Sequence, residues 1–524
     1  MRLTESRKSW LMMGALWALL LVLAGLRPLA LPDEGRYAEI GRWMLVSGDW
    51  LTPRLDGIPF FHKPPLLHWL QALAMAVFGA GVWAARLAPA LHAGLMMVTV
   101  YLAALQVAPP AVARRAALML GTSLSFLAAG QYVNHDMLVA AWIGVAIWSF
   151  ALAFLHGPRP HAALARLGFV ACALGVLSKG LIGLALPGLV LLVWLLWTRQ
   201  LPKALRLPWA SGLALFAVIA LPWFVLAQRQ YPDFVGYLFG VQQFGRYTGT
   251  AFNNPRPWWF YLPALAGLFF PWVIFALNQV KAPVQSAQAA TDSIARPVWL
   301  LCWIWMVAIV GFFSVPNSKI VGYVLPVMPP LALLAALGWQ RWLGGHRWER
   351  ALWGALCLLT VAVAVAVHGL AGRYAARHGT QDIARTLACQ ARPSDTVYAL
   401  GEYPYDLPFY TQSVQPMVVV QDWTALRRSA GDNWRRELFE GADFDPAAGR
   451  VLQTPEVLAS AAQQPGRWLV APNALPAAQI PAGWVAVQRG AGWSLWRSAP
   501  EGPEPAEHKG LAGCEPHGGD QRQP

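Results

Sequence analysis

Between residues 31 and 66, LPDEGRYAEIGRWMLVSGDWLTPRLDGIPFFHKPPL gathers acids and bases, including Asp33, Glu34, Arg36, His62 and Lys63, directly after an apolar run. Charged groups beside a bilayer are costly unless they face a site, so this concentration reads as a functional constellation. Carboxylates can take a proton from an attacking hydroxyl, and cations can stabilise a departing phosphate. A substrate that is both lipid and phosphate suits such a place. The plain structural alternative is that Asp33 and Glu34 cap a helix, whose dipole favours carboxylates at its start.

Three distant positions weigh towards chemistry. Asp136 stands alone between Arg115 and Arg159, Lys179 between Arg166 and Arg199, and Lys319 between Arg296 and Arg341, each the sole carboxylate, lysine or arginine in a long apolar stretch. A lysine snorkelling from a helix end is the ordinary explanation for either lysine alone. Two carboxylates and several cations on one membrane face are harder to account for structurally.

The elements that must position these residues are mostly membrane spans. The chain has 524 residues, 56% hydrophobic, with 28 tryptophans and only 13% charged residues; its mean hydropathy is +0.41. That composition is far from the charged quarter of a soluble domain and indicates a polytopic α-helical membrane protein. Apolar segments fall at 10–29, 82–107, 116–130, 137–155, 164–178, 181–197, 208–227, 258–277, 297–313, 320–337 and 351–370. With ambiguous segments included, this amounts to about 11 to 13 spans. The segment 66–79 is short and carries His68 and Gln71, and is expected as an interfacial helix. The first apolar run follows Arg2, Arg7 and Lys8 as a signal peptide does, yet it is long enough to span and is expected to be retained.

Charge sets the expected orientation. The formal net charge is +14, much of it in clusters between spans such as Arg114–Arg115, Arg199 with Lys203 and Arg206, and Arg341 with Arg347 and Arg350. Such clusters mark cytoplasmic loops rather than a nucleic-acid surface. Alternation then puts 31–81, the 131–136 turn, Lys179, the 228–256 connection and 314–319 on the outer face. The Asp33 segment carries Tyr37, Ile40 and Met44 on one face and is expected as an amphipathic helix in the membrane plane.

From about 371 the pattern changes to short strand-like runs at 396–400, 417–420, 468–471 and 484–487, alternating with helical stretches at 381–390 and 455–463. A small C-terminal α/β domain on the periplasmic side is expected over 371–498, after a transmembrane domain over 1–370 that includes the catalytic loop 31–81. Residues 499–524, rich in proline, glycine and charge, read as a disordered tail. The five scattered cysteines suggest neither a metal site nor a disulfide framework. No Walker loop or dinucleotide fingerprint is present, so no cofactor and no metal is expected. The acidic pair Asp443 and Asp445 reads as a turn.

The stretch DEGRYAEIGRWMLVSGDWLTPRLDGIPFFHKPPLLHWL resembles the first periplasmic loop of the bacterial lipid A 4-amino-4-deoxy-L-arabinose transferases, relatives of the protein O-mannosyltransferases in the membrane glycosyltransferase C superfamily. The resemblance continues through Asp136, LSKGLIGLALPG, PWWFYLPAL and SKIVGYVLPVMPPLALL, and is weak in the C-terminal part. It implies an inner-membrane enzyme that moves a sugar from a polyprenyl-phosphate carrier to lipid A or another periplasmic acceptor, with inversion. Asp33 is then the catalytic carboxylate and Asp136 a supporting acid. The resemblance assigns Arg36 and Lys63 to the donor phosphate, with Lys179 or Arg246 beside them, and lets Tyr37 shape the site. Glu34, His62 and Lys319 complete the substrate-binding set, His62 standing where those transferases often have an acid. The rival reading from the residues alone is a transporter or lipid flippase, since intramembrane acids also mark ion pathways.

Overall fold

The computed structural model describes residues 2–155, 157–245, 254–280, 292–431 and 434–499, with only the backbone of 2–5 and 292–295. Arg246 and the tail beyond residue 499 lie outside these residues. The described chain forms two compact units. One contains Met1–Leu26, Asp49–Pro53 and Phe61–Leu370; the other contains Arg27–Gly48, Arg54–Phe60 and the residues from Ala371 onward. Of the outer loop 31–81, residues 31–48 and 54–60 fall in the second unit, and 49–53 and 61–81 fall in the first.

Eight helices among the described residues are long and apolar enough to cross a membrane. The other three expected spans are helical but short or interrupted. Residues 116–130 fall in Pro110–Gly121 and Leu124–Ala129, where the Ser123 side chain caps a new helix. Ile182–Trp197 has 16 residues. Tyr261–Leu268 and Trp272–Leu277 are separated before Pro271, a residue that cannot continue the backbone ladder. Leu66–Phe78, at 13 residues, reaches about 20 Å and is shorter than a bilayer core.

Asp136–Leu155 is the hub of the first unit. Nearly all its residues are buried, as suits a helix that is apolar all round. It packs against Ala162–Lys179, Val82–Leu105 and Ile182–Trp197. Small residues set the spacing, as expected where lipid supplies no hydrophobic drive between helices. A Cβ on Gly183 would lie 2.2 Å from the Gly175 carbonyl carbon, so these two helices meet backbone to backbone. Gly180, with φ of +89°, turns the chain sharply after Lys179.

The second unit is built on a six-stranded sheet in the order β5-β4-β3-β6-β8-β7. Its strands are β3 Thr396–Leu400, β4 Val418–Val420, β5 Leu452–Gln453, β6 Arg467–Pro472, β7 Trp484–Arg489 and β8 Trp493–Ser498. The pairs β3–β4, β3–β6 and β4–β5 are parallel, whereas β8 runs antiparallel to β6 and β7. Helix Gln381–Gln390 lies where the sequence placed it, and helix Val457–Ala461 is shorter than expected. Asp443 ends helix Arg436–Phe444, and Asp445 takes Ala448 N at 3.1 Å in the turn that follows. Cys389 is disulfide-bonded, and Cys172, Cys302 and Cys357 are free.

Helix Asp33–Ser47 and the small hairpin of β1 Arg54–Leu55 and β2 Ile58–Pro59 belong to this unit. The helix is present, yet every residue from Glu34 to Met44 is buried, its polar faces included. Gly35 explains how it fits so closely: a Cβ there would stand 3.0 Å from Asp406 N. Leu29 N donates to the Tyr410 hydroxyl at 2.8 Å, and Arg42 donates to Ser413 O at 2.6 Å. The hairpin is tied in the same way, with Met417 N donating to Asp56 Oδ1 at 2.9 Å. Burial pushes the Asp56 carboxyl up to about 8, with Met417 N opposing and the Glu39 charge adding to the rise.

Candidate functional site

The residues expected to do chemistry fall into two clusters, one in each unit. In the second unit Asp33, Glu34, Arg36 and Tyr37 occupy the first turns of one helix. Asp33 does not cap that helix. The cap position is Pro32, which has no side-chain hydrogen bond to give, and both acids fall just inside the first turn. Asp33 instead accepts from Arg36 and keeps its side chain 40% exposed. Arg36 is buried and also donates to Glu437, and its guanidinium lies over the Tyr37 ring at 4.4 Å. Burial lowers the Arg36 pKa, but Glu437, Tyr37 and Asp33 more than offset it and hold it above its ordinary value. Tyr37 in turn meets the edge of Phe60, with centroids 6.2 Å apart.

Glu34 has a different position. It is fully buried, with Arg27 on both oxygens and Ala30 N donating at 2.9 Å. Those bonds brace the turn that precedes the helix. Glu39 and Arg42 form a second buried pair on the same helix, at 2.7 and 2.6 Å. Tyr405 completes the surroundings, its phenol held well above its usual value by burial and the Glu437 charge. The arrangement offers one accessible carboxylate whose direction is set by a buried, doubly anchored cation.

In the first unit Asp136 and Lys179 form an ion pair, each about nine-tenths buried. Asn134 donates to the other Asp136 oxygen at 3.2 Å, and its own oxygen receives Asp136 N at 2.9 Å. Lys179 also lies over the Tyr323 ring at 4.4 Å. Gly322 makes room for the acid: a Cβ there would come 2.1 Å from Asp136 Oδ2. Next to Asp136, His135 bonds Ser178 O at 2.8 Å and meets His68 edge-on, centroids 5.3 Å apart. Its pKa is held well below the usual value by burial first, and then by His68, Lys63 and Lys179. Lys63 therefore belongs to this cluster's electrostatics.

His62 and Lys319 serve other contacts. His62 Nε2 and Gln242 Nε2 both meet the Tyr237 hydroxyl at 2.8 Å. Lys319 does not join Asp136; its amine donates to Arg256 O at 3.1 Å and to Pro316 O at 2.5 Å. Its backbone N donates to Asn254 O at 3.1 Å, beside the Pro255–Ser318 bridge. Among the described residues no three His, Cys, Asp or Glu side chains gather in a way that could hold a metal ion. Glu437, Arg27, Tyr323 and Tyr237 were not legible as site partners in the sequence, because each pairs with a residue through the fold rather than through spacing.

A sequence profile of the dolichyl-phosphate-mannose-protein mannosyltransferase family matches residues 10–238. An undecaprenyl phosphate-alpha-4-amino-4-deoxy-L-arabinose arabinosyl transferase of Pseudomonas savastanoi pv. phaseolicola is 34% identical over 331 residues, covering 62% of this chain and 60% of the relative. A protein of the same name from Aeromonas salmonicida is 33% identical over 352 residues, covering 64% and 62%. The crystal structure of ArnT from Cupriavidus metallidurans bound to undecaprenyl phosphate superposes with a TM-score of 0.76 at 26% identity, covering 94% of this chain and 99% of that one. In sequence and in fold the chain is similar to the aminoarabinose transferases. It spans about three-fifths of the length of those two sequence relatives. The likeness to ArnT takes in nearly the whole chain, and with the apolar helices it establishes a multi-pass membrane protein carrying a C-terminal α/β unit. The profile match ends before Arg246 and Lys319, so those two positions gain nothing from it.

Proposed function

We propose that the protein is a glycosyltransferase that takes a sugar from a polyprenyl-phosphate carrier and passes it to lipid A or a similar periplasmic acceptor. The observation that carries this reading is the likeness to the aminoarabinose transferases, joined to an accessible carboxylate, Asp33, aimed by a buried arginine. In the proposed step an acceptor oxygen attacks the anomeric carbon as the bond from that carbon to the phosphate oxygen breaks. The electron pair leaves with polyprenyl phosphate, and configuration inverts. Where the acceptor is a hydroxyl, Asp33 takes its proton; where it is a phosphate, Asp33 orients it.

Arg36 and Lys63, with Lys179 or Arg246, are assigned to the donor phosphate, where cations stabilise the leaving charge. Asp136 is assigned to hold Lys179, and Tyr37 to shape the region around Arg36. Glu34, with its oxygens taken by Arg27 and Ala30 N, supports the loop. His62 and Lys319 are assigned to secure the outer segments that carry Tyr237 and Arg256. We place the enzyme in the bacterial inner membrane with the Asp33 helix and the α/β unit outside. Basic loops on the opposite side support that orientation.

The test is to incubate the purified protein in lipid with polyprenyl-phosphate sugars and lipid A acceptors, and to weigh the lipids by mass spectrometry. The expected result is acceptor heavier by one sugar and an equal amount of free polyprenyl phosphate. Absence of transfer with every donor, together with movement of the donor lipid across the bilayer, would instead establish a flippase.

A further inference from the structure

The segment Gly236–Gly245 of the first unit winds as a π-helix, a form that is rare and occurs mostly at functional sites. Its backbone bonds join residues five apart, so Tyr237 and Gln242 lie one above the other, where an α-helix would turn them apart. Gln242 Nε2 donates to the Tyr237 hydroxyl at 2.8 Å, and that hydroxyl meets His62 Nε2 at 2.8 Å. His62 directly precedes Lys63. The next residue, Gln243, reaches a different stretch of chain, its Oε1 accepting from Leu181 N at 2.8 Å. Its amide fits so closely against Gly180 that a Cβ there would come within 2.4 Å. Gly180 and Leu181 directly follow Lys179. Aromatic contacts fix the segment on helix Trp209–Gln230: Phe239 stacks on Phe224 with centroids 5.6 Å apart, and Phe234 meets Trp223 edge-on at 5.1 Å.

Two residues adjacent in sequence thus brace the chain beside two different lysines. Lys63 and Lys179 both bear on His135, so the two cations converge and repel each other before any anion arrives. A lysine is a point charge on a flexible stem, and its direction has to be set by its surroundings. We propose that Gln242 and Gln243 are positioning residues that set Lys63 and Lys179 for one phosphate group. Neither glutamine has to touch that phosphate. Gln242 acts through Tyr237 and His62 on the chain at Lys63, and Gln243 acts through Leu181 N on the turn after Lys179. His135 bonds Ser178 O on the other side of Lys179, so the backbone is held both before and after that lysine. Because both braces come from one π-helical segment, the two cations keep their spacing together, as a preorganised anion site requires. The identity of the anion as a polyprenyl phosphate rests on the glycosyl-transfer reading; the coupling of the two lysines does not.

The test uses full-length protein in lipid nanodiscs, with undecaprenyl phosphate and the uncharged undecaprenol as probes, binding being followed by native mass spectrometry. The wild type is expected to prefer the phosphate. Gln242→Met and Gln243→Met should each weaken undecaprenyl phosphate binding about fivefold, the scale of one lost hydrogen bond, with undecaprenol binding and the melting temperature little changed. In a Lys63→Met background, Gln242→Met should weaken binding no further, because the cation it positions is gone. A merely structural glutamine would cost the same with or without Lys63. The proposal is overturned if the wild type does not prefer the phosphate, or if either single variant binds it as the wild type does. It is overturned equally if undecaprenol binding falls in parallel, or if Gln242→Met still costs about fivefold without Lys63. Binding that responds as expected in a protein that transfers no sugar would retain the positioning role and remove the transferase reading. Sugar transfer by a protein whose glutamine variants bind as the wild type does would do the reverse.

Discussion

The two acidic clusters solve the problem of holding a carboxylate in opposite ways. Asp136 is nearly buried and is matched by one cation, Lys179, with Asn134 on the remaining oxygen and Gly322 clearing the space. Asp33 keeps 40% of its side chain exposed, and it is its partner, Arg36, that is buried and anchored twice. An acid enclosed by its partners is suited to hold a neighbour in place. A partly exposed acid beside a fixed cation can meet a substrate without a large rearrangement. The difference teaches that two acids of one protein can be held in unlike ways, one enclosed by its partners and one partly exposed beside its cation.

That contrast can be broken by several changes. The largest expected effect concerns Asp56, the buried acid of the second unit. Its folded pKa is raised from 3.8 to about 8, so the stability tied to it is complete below 3.8 and is lost progressively as pH rises to about 8. Each unit of such a shift corresponds to about 1.4 kcal/mol before relaxation reduces it. Asp56→Asn should flatten this slope and raise the melting temperature at the alkaline end, as followed by calorimetry from acid to alkaline pH. An unchanged slope would show that Asp56 is not the group responsible.

Next comes Asp136→Asn, which leaves the Lys179 charge nearly buried without its acid. The expected loss is about 3 kcal/mol in resistance to denaturant, as for other broken buried pairs. Adding Lys179→Met should recover part of it. If the single variant is as stable as the wild type, the pair is not a structural clasp. Glu437→Gln should cost less, about 2 kcal/mol, because Arg36 keeps Asp33 and the Tyr37 ring. Its informative readout is a raised donor KM at nearly constant kcat, which a purely structural role would not produce.

Much of this was legible in the sequence, and the limits have physical causes. Strand β3 and helix Gln381–Gln390 occupy the expected residues because local patterning decides them. Asp136 and Lys179 stood out because each is alone in apolar sequence, and the fold pairs them. The Asp33 helix was also foreseen, but not the burial of every residue from Glu34 to Met44. Its period suggested a surface helix, whereas Gly35 lets it press against the backbone at Asp406 and its charges pair internally. Glu437 was invisible because it meets Arg36 across 401 positions, with no periodic or compositional signal. Lys319 looked like a site cation for the same reason as Lys179, but carbonyls at Arg256 and Pro316 accept its hydrogen bonds.

The division of labour between the two acids is tested most directly by single-turnover transfer from a polyprenyl-phosphate sugar, comparing Asp33→Asn with Asp136→Asn at a temperature where both remain folded. The account predicts that Asp33→Asn melts as the wild type does yet transfers at least about a hundredfold more slowly with a hydroxyl acceptor, the usual scale for losing a general base. Asp136→Asn is predicted to show the lower melting point and the smaller loss of rate per folded molecule. Wild-type transfer by folded Asp33→Asn would contradict the account.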